Sequence, residues 1–101
     1  MIQIFAALAL AGVEPIPATD NFGEPFPAFV PGDVRLFVID AQACTHFGGE
    51  PYSEDDKERK AFLDEMIAKT CTNIKERKAS LERRYRRSAE IKAVISNAWE
   101  E

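Results

Sequence analysis

The two cysteines, Cys44 and Cys71, are the feature that most constrains how this chain can fold. A chain of 101 residues supports one domain at most, and so small a domain gains much from a covalent crosslink. Two cysteines in a small exported chain indicate a disulfide, whereas in the cytosol two buried reduced thiols are ordinary core residues. The compartment therefore decides between these alternatives.

The N-terminal sequence indicates export. Its uncharged apolar run from Ile4 to Ala11 is too short to cross a bilayer. We interpret residues 1–18 as a secretory signal, with Ile16 and Ala18 at the minus-three and minus-one positions of the cleavage site. No Lys or Arg precedes the apolar run, which leaves two alternatives open: a start further upstream, or a buried arm in place of a cleaved signal. We expect a periplasmic or secreted protein that has no membrane span once the signal is removed, and this location favours the disulfide.

A proline-rich segment follows the signal. Residues 19–33 combine prolines and glycines with Phe22, Phe26 and Phe29, which predicts an irregular arm anchored by aromatic side chains. We expect residues 34–101 to form a single small helical domain.

The stretch from residue 34 to residue 47 is ambiguous. Residues 34–39 are apolar and β-branched, as in a strand, but the residues after them favour a helix. Asp33 or Asp40 is a suitable N-cap and Gly48 a suitable C-terminal stop. We expect a short helix from about 34 or 40 to 47.

Two longer helices are predicted next, over about 53–70 and 73–98, as an antiparallel hairpin. Ser53 with Asp56 resembles a capping box, and Ser88 is placed to start a fresh turn and kink the second helix. Apolar residues recur at helical spacing in the first helix; they are Phe62, Leu63, Met66, Ile67 and Cys71. The predicted fold class is therefore mainly α.

The charge pattern predicts the register of this hairpin. Residues 1–66 carry four basic and twelve acidic side chains, and residues 67–101 carry nine basic and five acidic ones. A turn near Thr72 places Glu58 opposite Arg86 and Leu63 beside Leu81. Exposed ion pairs contribute only about 0–1 kcal/mol each, so we expect the apolar seam, which includes Phe62, to hold the hairpin together.

The basic run allows a second interpretation. Arg83, Arg84, Arg86 and Arg87 surround Tyr85, and such residues can neutralise phosphates and stack on a base. We disfavour nucleic acid as a partner, because the acidic start of the facing helix is expected to neutralise these arginines.

Cys44, His46, Glu50 and Cys71 offer the ligand types of a zinc site. Their spacing matches no compact zinc motif, and a Cys and His pair without an orienting third group is a weak catalytic signal. We therefore expect no enzyme activity and no cofactor, and we keep zinc binding as an alternative. With a disulfide, His46 is a structural residue and Phe47 presses on the following helix.

The C-terminal end of the last predicted helix extends beyond its partner. Its apolar side chains need another cover, from the arm, a partner protein or a second copy of the chain. These protein-binding candidates are Ile91, Val94, Ile95 and Trp99.

The stretch "ACTHFGGE", a cysteine after the following helix, and "LERRYRR" together resemble small exported bacterial proteins of uncharacterised function, over about residues 43–87. This resemblance implies export, helices and a cysteine bridge. The chain is more distantly similar to helical lysozyme-inhibitor-type envelope proteins. The export-like N-terminus, the amphipathic hairpin, the apolar surface around Trp99 and the weak catalytic signal together lead us to expect an exported, disulfide-bonded helical protein of the bacterial envelope. We expect it to bind another protein, as an inhibitor does.

Overall fold

The computed structural model describes residues 16–100 and shows a mainly helical protein. Its helices are α1 (Gly32–Gly48), α2 (Lys57–Cys71), α3 (Ile74–Arg84) and α4 (Ala89–Ala98). Within residues 16–100 the only β pairing is an isolated bridge in the arm. The predicted mainly α class is confirmed, and a helical hairpin is consistent with the structure. None of the helices in this range is long and apolar enough to span a membrane.

Helix α1 includes the whole ambiguous stretch. Its buried residues recur three or four positions apart, at the spacing of a single helical stripe, and are Val34, Phe37, Val38 and Ala41. Residues 34–39 are therefore helical, because packing along this stripe outweighs the weak helix propensity of two valines. The helix begins at Gly32, directly after the extended Pro31, so the proline-rich arm is two residues shorter than predicted.

The main core lies between α1, α3, α4 and the end of the arm. Its buried members are Val30, Val34, Phe37, Val38, Ala41, Ile74 and Ile95. Partly buried side chains pack around them, namely Phe26, Leu81, Tyr85, Ile91, Val94, Ala98 and Trp99. Full burial of a side chain such as Phe37 contributes about 1.5–3 kcal/mol. Helix α2 contributes no residue to this cluster.

Helix α2 packs against α1, and the chain reverses direction between them in the loop 49–56. Three contacts show that the two segments are antiparallel, because residue numbers rise along one segment and fall along the other. These contacts join Cys44 to Cys71, Phe47 to Phe62, and Glu50 to Arg59. The predicted contact of Phe47 with the following helix is confirmed. Helix α2 begins at Lys57 rather than residue 53, because the Asp56 side chain accepts the first capping hydrogen bond, from the Arg59 amide at 3.0 Å.

Helix α3 also runs antiparallel to α1. Arg77 pairs with Asp40 at 2.8 Å. Arg84, which comes later in α3, pairs at 2.8 Å with Asp33, which comes earlier in α1. The connection through Asn73, whose φ of 55° is left-handed, therefore continues the chain along α1 instead of folding α3 back on α2.

The predicted register between residues 53–70 and 73–98 is accordingly wrong. Leu63 is buried but lies outside the cluster that Leu81 joins, and Phe62 is 50% exposed instead of filling a seam. The predicted register fails because α1, which is longer than expected, packs against α2 in the place where residues 73–98 were expected.

The predicted helix over 73–98 is divided in two at Tyr85–Arg87. The Ser88 side chain accepts a hydrogen bond from the Ile91 amide at 3.2 Å and caps α4, which confirms the fresh start predicted at this serine. Lys78 donates to the Trp99 carbonyl oxygen at 2.9 Å, so the end of α4 returns to α3. Helices α3 and α4 thus form an antiparallel hairpin.

Candidate protein-binding surface

The two cysteines form a disulfide, with their Cα atoms 5.0 Å apart. The predicted crosslink is confirmed. Residues 45–48 continue α1, and the loop 49–56 then leads to the start of α2. The bond consumes both thiols that the zinc alternative requires. Among residues 16–100 no group of three or more His, Cys, Asp or Glu side chains is arranged to hold a metal ion.

The other two residues of the proposed zinc set, His46 and Glu50, form a chain of polar contacts with Arg59. Glu50 lies 3.2 Å from His46 Nε2 and 2.9 Å from Arg59, and Arg59 also donates to the Pro51 carbonyl oxygen at 3.3 Å. These contacts hold the loop after α1 against the first turn of α2. His46 is thus placed by Glu50 and by an edge-on contact with Phe47, with ring centroids 5.2 Å apart.

A tight turn in the arm carries Phe22. The Asp20 carboxylate accepts hydrogen bonds from the amides of Phe22 at 2.8 Å and Glu24 at 3.0 Å. Gly23 adopts a φ of 84°, which a residue with a side chain adopts only under strain. The hydrogen bond from Gln42, followed by those from the two amides, lowers the pKa of Asp20. The turn is thus organised around one ionised carboxylate.

This turn is also attached to α1. Asn21 donates from its side chain to the Ile39 carbonyl oxygen at 2.8 Å, and its backbone amide donates to the Gln42 side chain at 3.2 Å. Gln42 in turn donates to Asp20 at 3.0 Å. The turn is therefore fixed relative to the helix, although Phe22 itself is 74% exposed.

Phe22, His46, Phe47 and Phe62 form what we call the aromatic face. Phe22, His46 and Phe47 line one open groove of about 270 Å³, together with Asn21, Gln42 and Ala43. Phe62 extends the surface beyond Phe47, with ring centroids 6.0 Å apart in an edge-on arrangement. The face combines exposed aromatic area with polar amide groups at its edge, as protein-binding surfaces commonly do.

Comparison with protein-family models, curated proteins and solved structures finds no match for this chain. A function for this chain is therefore inferred from the chemistry of its described surface.

The predicted protein-binding residues lie elsewhere. Ile95 is fully buried in the core, and Ile91, Val94 and Trp99 pack against the core cluster. Helix α1 and the end of the arm, through Val30 and Phe26, cover this side of α4. Ile95 therefore offers no surface to a partner, and the other three side chains are partly buried.

The arginine run lies at the turn between α3 and α4. Arg84 is bound to Asp33, and this hydrogen bond raises the pKa of Arg84. Tyr85 donates its hydroxyl hydrogen to the same carboxylate at 2.8 Å, and burial followed by this hydrogen bond raises its pKa. Tyr85 is therefore held against α1 and is not free to stack on a base.

The other three arginines are exposed. Arg83, Arg86 and Arg87 make no ion pair with any residue in the range 16–100. The predicted neutralisation of Arg86 by Glu58 is absent, because α2 lies along the other half of α1.

The turn that presents Phe22 was missed at the sequence level, although a signal was present. Residues 20–23 read Asp-Asn-Phe-Gly, a combination of turn-forming residues around one aromatic side chain. Phe22 was predicted to anchor the arm together with Phe26 and Phe29, whereas its side chain is 74% exposed.

Proposed function

We propose that this protein is exported to the bacterial envelope and acts by binding another protein, with the aromatic face as the contact surface and the disulfide as its crosslink. The observation that carries the proposal is the exposure of Phe22 at the tip of a turn whose backbone is fixed to α1. The disulfide and the apolar N-terminal run support export.

The geometry of the Phe22 turn favours binding for a physical reason. A phenylalanine buries a large apolar area in a partner, and aromatic anchors of this kind contribute most to protein interfaces. Hydrogen bonds from Asn21 and to Asp20 already order the backbone, so binding loses less conformational entropy than it would from a mobile loop. Phe47 and Phe62 supply further apolar area beside the anchor.

Photo-crosslinking tests the binding surface directly. A benzoylphenylalanine residue at Phe22 is expected to form one discrete adduct in living cells, since its ring would lie inside the interface. The control is the same residue at Phe29, which is 46% exposed but does not line the groove. Equal labelling at both positions, or none at Phe22, would contradict the proposed surface.

Cell fractionation tests export separately. An epitope-tagged chain is expected in the periplasm or the medium, with the disulfide formed and the N-terminus trimmed. Retention in the cytosol with Met1 intact would contradict export and leave the crosslinking result to stand on its own.

A second candidate function is binding of single-stranded nucleic acid at the turn between α3 and α4. The observation that favours it is the exposure of Arg83, Arg86 and Arg87 without the expected acidic neighbours. Arginines that are free to meet phosphate release counterions on binding, which gives affinity that falls steeply with salt.

Titration of a fluorescein-labelled single-stranded oligonucleotide tests this candidate. Changing Arg83, Arg86 and Arg87 to Gln is expected to reduce the slope of log K against log salt by about two units. The matched control changes three α2 lysines to Gln, namely Lys57, Lys60 and Lys69, and should leave the slope unchanged. Failure of the natural chain to bind at low salt would remove the candidate.

A further inference from the structure

A second groove adjoins the one that Phe22 and Phe47 line. It has a volume of about 250 Å³, shares Phe22, Gln42 and His46 with the first groove, and reaches Ala98 at the end of α4. The aromatic face therefore extends across the C-terminal half of α1, with room for apolar side chains of one partner on both sides of His46.

Residues 49–58, which we call the acidic segment, border this face. They carry five acidic side chains and one basic side chain, Lys57. The segment follows directly after α1, and its Glu50 lies 3.2 Å from His46. Glu58 precedes Phe62 by four residues, so the two side chains lie on the same face of α2. The acidic segment is therefore continuous with the aromatic face.

Most of the charge of the acidic segment is available to a partner. Three of its carboxylates are exposed and make no ion pair with any residue from 16 to 100; they belong to Glu54, Asp55 and Glu58. The basic residues that follow, Arg59 and Lys60, are each paired with another carboxylate. The border of the face thus carries a net negative charge.

The Phe22 turn adds negative charge on the other side of the first groove. Glu24 lies two residues after Phe22 and is exposed, and Asp20 holds the turn as a carboxylate. A partner that inserts an apolar side chain into the groove therefore meets carboxylates on both sides of it.

The opposite end of α1 carries the opposite charge. Arg83, Arg86 and Arg87 are exposed beside its N-terminal end, whereas the aromatic face lies at its C-terminal end. A positively charged partner is therefore repelled from the arginines and steered towards the aromatic face.

We propose that the partner of the aromatic face is a basic protein, which presents an apolar side chain with Lys or Arg residues next to it. The apolar side chain enters the groove beside Phe22, and the basic residues meet Glu24 and the acidic segment. Such charges speed association and select against acidic partners more than they add affinity. This inference rests on the proposed function of the aromatic face.

Two fluorescein-labelled peptides with the same Leu-Trp-Leu centre test the charge of the partner. Lysines flank the centre in one peptide and glutamates in the other, and fluorescence anisotropy measures their binding to the disulfide-bonded protein at low salt. The basic peptide is expected to bind about tenfold more tightly or better. Equal binding of the two peptides, tighter binding of the acidic one, or binding of neither would overturn the inference.

Matched variants locate the bound peptide. One variant neutralises three carboxylates of the acidic segment and should weaken the basic peptide about tenfold; its changes are Glu54→Gln, Asp55→Asn and Glu58→Gln. The control removes the same charge from α3 and α4, at residues that line neither groove, and should change the affinity less than about twofold; its changes are Glu76→Gln, Glu82→Gln and Glu90→Gln. Equal weakening in both variants would overturn the inference, because net charge alone would then explain the binding.

The adduct formed in cells at Phe22 separates this inference from the proposed function. A crosslinked protein with more Lys and Arg than Asp and Glu supports both. An acidic protein, or a second copy of this chain, overturns the basic partner and leaves the aromatic face as a binding surface. Absence of an adduct contradicts the surface itself, and this inference with it.

Discussion

At the scale of single residues, Arg35 does most to join the arm to the helices. Its guanidinium satisfies three backbone carbonyl groups and contacts an aromatic ring. A planar guanidinium with five donors suits this position, and a lysine cannot reproduce the geometry. The proline-rich arm contains few backbone hydrogen bonds of its own, so Arg35 supplies donors that a helix or sheet would otherwise provide.

Replacing Arg35 by Gln is expected to lower the free energy of unfolding by about 1–3 kcal/mol, because partly buried carbonyl oxygens lose their donors. Urea unfolding followed by the fluorescence of Trp99 measures this loss. Arg83→Gln, at an exposed position without an ion pair among the described residues, serves as the control and should change stability by less than about 0.5 kcal/mol. Equal stability of the two variants would contradict the role of Arg35.

Asp20 gives the Phe22 turn a dependence on pH. Its pKa is lower when folded than unfolded, so its contribution to stability is present above the unfolded pKa and is lost as the pH falls through the folded pKa. We expect the Phe22 turn to loosen only below the usual carboxyl range of about pH 4. An NMR titration of the Phe22 amide measures the midpoint. Gln42→Ala should raise this midpoint, because the largest cause of the shift is removed.

At the scale of helices, α2 is the element that the main core holds least. It supplies no residue to the core cluster, its buried side chains are Leu63 and Thr70, and its packing partner is α1. The disulfide joins its last residue to α1, and the Arg59–Glu50 ion pair holds its first turn. By contrast, α3 and α4 share a continuous core with α1.

Reduction of the disulfide by a dithiol is therefore expected to release α2 before the rest of the molecule. Hydrogen exchange should show that residues 57–71 lose protection while α1, α3 and α4 keep theirs. A disulfide that closes a loop of this length contributes about 3–4 kcal/mol on the chain-entropy model. The double variant Cys44→Ser with Cys71→Ser should behave like the reduced protein. Uniform loss of protection across all four helices would contradict this description.

Most of the helical segments could be predicted from the sequence, because their signals are local, although residues 34–39 were open between strand and helix. The Ser88 cap and the apolar periodicity each depend on residues a few positions apart. The packing partners could not be predicted in the same way. Leu63 and Leu81 have the right spacing for a hairpin, but Asp33 and Asp40 provide α3 with equally suitable ion-pair partners on α1.

The candidate site shows the same limit. The disulfide was predictable from two cysteines and an apolar N-terminal run that we interpreted as typical of export. The exposure of Phe22 was not, because it depends on hydrogen bonds that join residues 20 and 21 to a helix about 20 positions away. Hydrophobic pattern alone assigns such a phenylalanine to the core.

At the scale of the whole molecule, opposite charges are collected at opposite ends of α1. Acidic residues crowd the loop before α2, near the C-terminal end of α1, and the exposed arginines lie beside its N-terminal end. The register expected from the sequence would have brought these charges together. Their separation leaves a basic surface available to an anionic partner and an acidic one available to a cationic partner.

This arrangement, with α2 and α3 following one another along α1, is tested most directly by a distance between spin labels at Glu58→Cys and Arg86→Cys, with the native disulfide intact. Both positions are exposed, so the labels should not disturb packing. Because the two sites lie near opposite ends of a 17-residue helix, we predict a separation of about 25 Å or more. A separation below about 15 Å, as in a hairpin that pairs these residues directly, would contradict the structure.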